Sequence, residues 1–356
     1  MTTAYINRIV TAVPEHDVHQ AFIGFATGLL PEGTTRNLFR RMARMSAIEH
    51  RYSFVHPIPA EDGSWRDAEG VYVPGDFPAT ARRMQLFESY APRLARVALD
   101  KLALSEEERR GITHVVVTSC TGLYAPGLDF EVVNYLGLSP SVERTMIGFM
   151  GCYAAINALK AAHHIVRSEP DSTVLVLNLE LCSLHFQETH ELEQVLSFLL
   201  FADGCAASLV SARPVGLGID SFLAVGIPRT SHLITWRIGE MGFDMHLSGE
   251  VPGEIGRALK ESGTEVTRGR DVASVELWAV HPGGRSILDS VEKGLGLNAD
   301  ALSCSRSVLA RYGNMSSATV MFVLREIMER AQAGQSGCAM SFGPGLTAET
   351  MLFHAV

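Results

Sequence analysis

The stretch of this 356-residue chain best suited to nucleophilic chemistry runs from Phe149 to Arg167 and reads F-M-G-C-Y-A-A-I-N-A-L-K-A-A-H-H-I-V-R. A Gly-Cys pair stands ahead of a run rich in Ala, Leu and Ile, mostly good helix formers. Cys152 is therefore expected at or just before a helix N-terminus, where unpaired N–H groups and the helix dipole favour an anion. A thiol so placed tends toward thiolate, the nucleophilic form. Ala154, Ala155, Ala158 and Ala161 thin the helix and let neighbours pack closely. A small buried hydrophobe would read the same way, so this stretch alone leaves both roles open.

Arg36, Arg40 and Arg44 recur four residues apart and share one helix face; Arg41 and Arg51 lie close by. They form either a solvated face or a phosphate clamp, since guanidinium groups suit phosphate oxygens. Further along, a strand runs into H-P-G-G-R at His281. Another helix is entered through Gly313-Asn314 in Y-G-N-M-S-S-A-T. A His after a strand is often structural, and an Asn before a helix is often only a cap.

The elements that must position these groups alternate along the chain. Strands are expected at 4–13, 112–119, 173–179, 216–226, 275–280, 338–342 and 350–355, with a further strand after Asp203-Gly204. Helices are expected at 18–28, 35–46, 80–103, 128–136, 191–201, 252–262 and 284–294, besides the two glycine-led ones. Residues 57–79 read as a surface loop and 231–249 as a loop or hairpin. Cys120 lies 161 residues before His281, Gly151 lies 162 before Gly313, and Cys152 lies 162 before Asn314. The strands starting at Val174 and Cys338 are 164 apart. So steady an offset predicts a duplicated α/β unit, divided into 1–215 and 216–356. A pseudo-two-fold would bring Cys152, His281 and Asn314 together.

Composition narrows the setting. The chain is 47% hydrophobic with a formal net charge of −9, which argues against nucleic acid or anionic membrane as the main partner. Its six cysteines have no C-x-x-C spacing, so neither a disulfide framework nor a metal site is expected. The N-terminus lacks a signal-peptide pattern, and no apolar run approaches the ~20 residues of a membrane span. A cytoplasmic globular protein is expected.

With these motifs in order, the chain resembles the type III polyketide synthases, the chalcone synthase-like branch of the thiolase superfamily. The resemblance rests on G-C-Y-A-A-I-N-A-L at Cys152, W-A-V-H-P-G-G-R at His281, Y-G-N-M-S-S-A-T at Asn314 and S-F-G-P-G-L-T-A-E at 341–349, and it spans nearly the whole chain. It implies a homodimer of thiolase-like, five-layered αβαβα subunits that take CoA thioesters as substrates and hold no bound cofactor. A starter acyl group would pass from CoA to Cys152. Malonyl-CoA would be decarboxylated, its enolate would attack the thioester, and the product would cyclise. His281 would hold the thiolate as imidazolium, and with Asn314 would donate to the thioester oxygen. The Gly343-Pro344-Gly345 turn and the Cys152 N–H would form a second oxyanion site.

The resemblance also makes Phe201 a gate residue and Arg41 a CoA-phosphate contact. Leu38 and Met45 replace two family lysines, so Arg40 or Arg44 would substitute. Met245 stands where the family has a second gate phenylalanine, with Phe243 nearby. Cavity-lining positions are Cys120, Thr121, Cys182, His185, Trp236 and Met245. An inward Trp236, where plant chalcone-forming enzymes carry glycine, implies a small cavity and a short starter such as acetyl or malonyl. Rival readings are a single-condensation ketoacyl synthase and, from another class, a papain-type Cys-His-Asn hydrolase. The duplicated halves and the arginine cluster do not fit the hydrolase.

Overall fold

The computed structural model describes residues 2–60 and 65–356. Its strands are β1 (Ala4–Ala12), the short β2 (His16–Asp17), β3 (Tyr52–Ser53), β4 (Pro57–Pro59) and β5 (Trp65–Asp67), then β6 (Ile112–Ser119), β7 (Glu143–Gly148), β8 (Thr173–Leu181) and β9 (Asp203–Ser211). The second half adds β10 (Leu217–Gly226), β11 (Ile234–Gly239), β12 (Gly242–Leu247), β13 (Leu277–Val280), β14 (Ser336–Gly343) and β15 (Thr347–Ala355). The α-helices are α1 (His19–Leu29), α2 (Thr34–Met45), α3 (Thr80–Leu102), α4 (Glu106–Gly111), α5 (Leu128–Leu136), α6 (Ala154–Ser168) and α7 (Leu192–Leu200), followed by α8 (Val251–Val266), α9 (Arg285–Leu295), α10 (Ser303–Tyr312) and α11 (Thr319–Arg330).

Nine strands make one sheet in the order β13-β14-β15-β10-β1-β9-β8-β6-β7. Its two wings repeat one pattern. β1 runs antiparallel to β9, β9 antiparallel to β8, and β8 parallel to β6; β10, β15, β14 and β13 follow the same sequence of directions. The wings are joined where β1 pairs antiparallel with β10.

Continuous apolar runs build these strands because both faces are covered. Val116, Val174 and Val176 point into a central core with α6 and α11, while Val115, Val117, Leu175 and Leu177 point the other way, toward α3 and α5. In the other wing Ala339, Met351 and Phe353 join the central core, and Cys338, Met340 and Leu352 pack toward α8 and α9. The result is a thiolase-like αβαβα stack, with α6 and α11 as its middle layer. Ala155, Ala158 and Ala162 on α6 are fully buried, as thin helix faces in close packing require.

Three differences from the expected elements have physical causes. The stretch 57–79 contains the β4–β5 hairpin, whose short, proline-bounded strands carry too little alternation to read. β7 is an edge strand with its first four residues exposed, so it lacks the apolar signature of its neighbours. α10 mixes Ser, Cys, Arg and apolar residues, and only its Cys304, Ser305, Val308 and Leu309 are buried. The repeat also drifts: α6 and α11 start 165 residues apart, at Ala154 and Thr319. Asn314 is therefore not the positional counterpart of Cys152. It sits two residues ahead of the 3₁₀ turn Ser316–Ala318 that leads into α11, whereas Cys152 lies within the equivalent turn, Gly151–Tyr153.

Candidate active site

Cys152 is carried on that 3₁₀ turn, directly before α6. Gly151 has φ +73°, and a Cβ there would lie 2.2 Å from Pro344 Cδ. Only glycine permits both the conformation and the contact. From the other side, a Cβ on Gly343 would strike the Tyr153 ring at 2.7 Å. The Tyr153 hydroxyl donates to Pro344 O at 3.2 Å. The Gly343-Pro344-Gly345 turn is thus seated against the cysteine turn.

His281 follows β13, its N–H bonded to Met340 O at 2.8 Å. The ring is 1% exposed, and neither ring nitrogen has a hydrogen-bond partner among the described residues. Asn314 is held through both its backbone and its side chain. Its N–H donates to Leu200 O at 2.8 Å and its carbonyl accepts from Ala202 N at 2.9 Å, bridging it to the segment that carries Phe201. Its Oδ1 accepts from Ser316 N at 2.9 Å, as a cap does. That bond turns Nδ2 toward the His-Pro-Gly-Gly turn, where it donates to Gly283 O at 3.2 Å and keeps its second hydrogen.

Cys152, His281 and Asn314 line one outer channel, together with Phe201, Met245 and Gly343. Cys152, Phe201 and Met245 also line a small inner cavity with Cys120, Trp236 and Pro344. The sulfur therefore stands where channel and cavity meet, with Phe201 and Met245 beside it. Phe243 is not at this junction. It is 1% exposed and stacked on His185 with centroids 4.1 Å apart.

The remaining expected residues are placed as follows. Cys120 and Cys182 line the inner cavity, and Cys120 Sγ accepts the Gly151 N–H at 3.0 Å, supporting the turn that carries Cys152. Trp236 points inward, and its Nε1–H donates to Cys120 O at 2.7 Å. Thr121 lines the cavity, and its hydroxyl donates to Glu180 Oε2 at 2.9 Å. His185 lies one layer back: its Nε2 donates to Thr121 O at 2.6 Å, its Nδ1 accepts from Phe243 N at 3.1 Å, and it is absent from the cavity lining. Its ring is occupied by neighbours, so it shapes the wall without reaching the lumen.

Arg40, Arg41 and Arg44 are exposed on α2, whose Met42 lines the outer channel. Arg36 donates to Leu30 O at 2.8 Å and so braces its own helix entry. Arg51 is buried. It bonds Phe198 O at 2.9 Å, Phe201 O at 2.6 Å and His19 Nδ1 at 3.0 Å, and burial lowers its pKa to about 9. It is a structural residue of the gate segment, apart from the surface cluster.

The electrostatics differ from the expected thiolate–imidazolium pair. Burial pushes the Cys152 thiol up to about 12 and His281 down to about 3. The sulfur's hydrogen-bonding neighbour is the Ser316 hydroxyl at 3.8 Å. Desolvation penalises either charge alone, so the resting groups are neutral unless each supplies the other's counter-charge.

Sequence reasoning missed Glu180. This fully buried carboxyl accepts from Cys120 N at 2.9 Å, from the Thr121 hydroxyl, and from the Ser317 hydroxyl at 2.5 Å; burial raises its pKa to about 7. The available signal was one acidic residue inside the apolar run V-L-V-L-N-L-E-L. Among the described residues, no group of three or more His, Cys, Asp or Glu is arranged to hold a metal ion. No helix among them is long and apolar enough to cross a membrane.

Fold and site together define a condensing enzyme of the thiolase superfamily. The chalcone and stilbene synthase profiles match residues 2–214 (N-terminal domain) and 220–356 (C-terminal domain). The alpha-pyrone synthesis polyketide synthase-like Pks18 of Mycobacterium tuberculosis is 34% identical, covering 100% of this chain and 92% of that protein. Bisdemethoxycurcumin synthase of Oryza sativa is 36% identical over 90% of this chain and 83% of its own. Among solved structures, PKS-I of the brown alga Ectocarpus siliculosus superposes with TM-score 0.86 at 30% identity, covering 100% of this chain and 99% of its own. The type III polyketide synthase domain of Steely1 from Dictyostelium superposes at 0.88 over 99% of each chain; at 24% identity it speaks to the fold. The chain belongs to the chalcone and stilbene synthase family. It is a type III polyketide synthase, an acyltransferase-type condensing enzyme.

Proposed function

We propose that Cys152 carries the acyl chain, while His281 and Asn314 activate malonyl-CoA in the outer channel. The observation that carries this reading is the sulfur's position at the junction of a channel and an inner cavity. CoA enters from the α2 side, where Arg40, Arg41 and Arg44 offer phosphate contacts beside Met42.

Neither Cys152 nor His281 ionises readily alone, so the active form arises by proton transfer from Sγ to the imidazole. The pair then titrates as one unit. The thiolate attacks the starter thioester, expelling CoA thiolate, with the Cys152 N–H and the Gly343–Gly345 turn beside the oxyanion. Malonyl-CoA then loses CO₂. The electron pair of the broken C–C bond moves onto the thioester oxygen, where the free Nδ2 hydrogen of Asn314 and an imidazole N–H donate to it. The enolate carbon attacks the acyl carbonyl, the C–S bond to Cys152 breaks, and the lengthened β-ketoacyl-CoA is returned for another round. Cyclisation in the inner cavity gives a pyrone, resorcinol, phloroglucinol or related aromatic; a relative whose name gives alpha-pyrone synthesis supports the first of these.

We also propose a homodimer. The edge strand β7 is unpaired on one side, and Leu123, Phe130 and Met146 are exposed beside it. Six free cysteines agree with a reducing cytoplasm. The two halves, 1–215 and 216–356, we read as a duplication, supported by the repeated strand directions.

Incubating the protein with malonyl-CoA and a panel of starters, followed by mass spectrometry, tests the activity. CO₂ release with multiply extended products is expected. A single extension would favour a ketoacyl synthase, and thioester hydrolysis without CO₂ would sink the condensing role.

A further inference from the structure

Two short turns lead the chain into the middle helices, Gly151–Tyr153 into α6 and Ser316–Ala318 into α11. They are counterparts: Gly151 and Ser316 stand 165 residues apart, as do the helix starts Ala154 and Thr319. The first residue of each turn has a left-handed backbone, with φ +73° at Gly151 and +47° at Ser316. Glycine adopts that conformation freely, whereas a Cβ there is strained. The first half thus holds the residue its backbone asks for, and the second half holds a serine in spite of it. Both peptide groups of Ser316 are clamped. Its N–H donates to Asn314 Oδ1 at 2.9 Å, and its carbonyl accepts from the Thr319 hydroxyl at 2.9 Å. Strain so firmly held beside a reactive group is kept for what the side chain does.

That side chain reaches the nucleophile. The Ser316 hydroxyl lies 3.8 Å from Cys152 Sγ, faces the inner cavity, and has no other hydrogen-bond partner among the described residues. A thiolate has no proton to give, so against a charged sulfur the hydroxyl is the donor. Burial pushes the Cys152 thiol up to about 12, and the Ser316 contact acts against that rise. The other titratable groups around the sulfur are His281 on the channel side, Glu180, the Tyr153 phenol, and the thiols of Cys120 and Cys182. A charged Glu180 disfavours the thiolate, and of the rest only a protonated imidazole brings it a counter-charge.

We propose that Ser316 is a further catalytic residue, whose hydroxyl donates a hydrogen bond to the Cys152 thiolate. The bond serves when the sulfur attacks a CoA thioester, and again when the enolate expels it. The hydroxyl keeps its own proton throughout; the proton of the resting thiol goes to the His281 imidazole. This role rests on reading Cys152 as the acyl carrier. It adds a neutral donor to the imidazolium, in a site where little water reaches the charge.

Two substitutions on the intact protein test it. Ser316→Ala removes the hydroxyl and keeps the strain, while Ser316→Gly removes both and serves if the alanine variant does not fold. Alkylation of Cys152 by iodoacetamide is followed against pH by peptide mass. In both variants the profile should move up by about one pH unit or more, slowing alkylation at pH 7 on the order of tenfold, because a hydrogen bond to a charged group is lost. Acyl transfer to Cys152 from acetyl-CoA or decanoyl-CoA should slow in parallel, and the glycine variant should unfold at higher urea than the alanine one. A profile unmoved in both variants overturns the donor role. A profile moved in the alanine variant alone assigns the effect to the backbone and overturns it equally. Failure of the wild-type sulfur to take an acyl group from either thioester overturns the acyl-carrier reading, and the donor role with it.

Discussion

Asn314 does two separable jobs, and two substitutions distinguish them. Oδ1 accepts from Ser316 N and holds the turn into α11, while Nδ2 donates to Gly283 O and keeps one hydrogen for the channel. Asn314→Asp preserves the acceptor and deletes the donor. Asn314→Ala deletes both. Losing one oxyanion donor costs ~10²–10³ in rate, so both variants should lose that factor in decarboxylation of malonyl-CoA. Their stabilities should diverge. Alanine forfeits a cap worth about 1 kcal/mol and a buried hydrogen bond of similar size, roughly 2 kcal/mol together. Aspartate keeps the cap but sets a carboxylate oxygen near Gly283 O, 3.2 Å from the present nitrogen. That contact costs on the order of 1 kcal/mol unless the carboxyl protonates. Release of labelled CO₂ reads the first effect, and urea midpoints read the second. Acylation of Cys152 by a starter, followed by intact-protein mass, should slow far less, because the proposed role of Asn314 is on the extender. Equal losses in loading and decarboxylation would refute the division of labour.

Trp236→Gly should enlarge the inner cavity, lengthen the products and remove the indole bond to Cys120 O, lowering stability by about 2 kcal/mol; an unchanged product profile by mass spectrometry would count against the wall assignment. His281→Ala removes the imidazole proposed to take the sulfur's proton, so iodoacetamide labelling of Cys152 at pH 7 should fall by at least tenfold and then rise with pH toward the thiol's value of about 12. Arg51→Met leaves the Phe198 and Phe201 carbonyls without their donor and should destabilise the fold by roughly 3 kcal/mol, with loosened starter selectivity in the same assay panel. Acid should weaken the fold. Burial holds His19 and His163 at about 4 and His185 and His281 at about 3, so below pH 6.5 the unfolded chain binds protons that the native one refuses. Glu180, near 7, and Asp203, near 6, oppose this, since the native state binds their protons first. Four groups outweigh two, so urea midpoints should fall between pH 6.5 and 4.5; a rise there would contradict the balance.

What the sequence determined by itself was the chemistry and the frame. Cys152, His281 and Asn314 stood out as candidates because each sits at a glycine-marked exit from a strand or entry to a helix. Long elements such as α3, α5 and β6 were legible because burial on one or two faces leaves a period in the chain. The tertiary structure decided everything that depends on a side chain's neighbours. Arg51 and the exposed Arg40, Arg41 and Arg44 are one residue type in one region, yet Arg51 alone turns inward, because the carbonyls of Phe198 and Phe201 lie there to receive it. His185 reads as a cavity residue, but Thr121 O and Phe243 N claim both of its nitrogens. Glu180 meets its three donors only when strands about sixty residues apart, and the turn before α11, close over it.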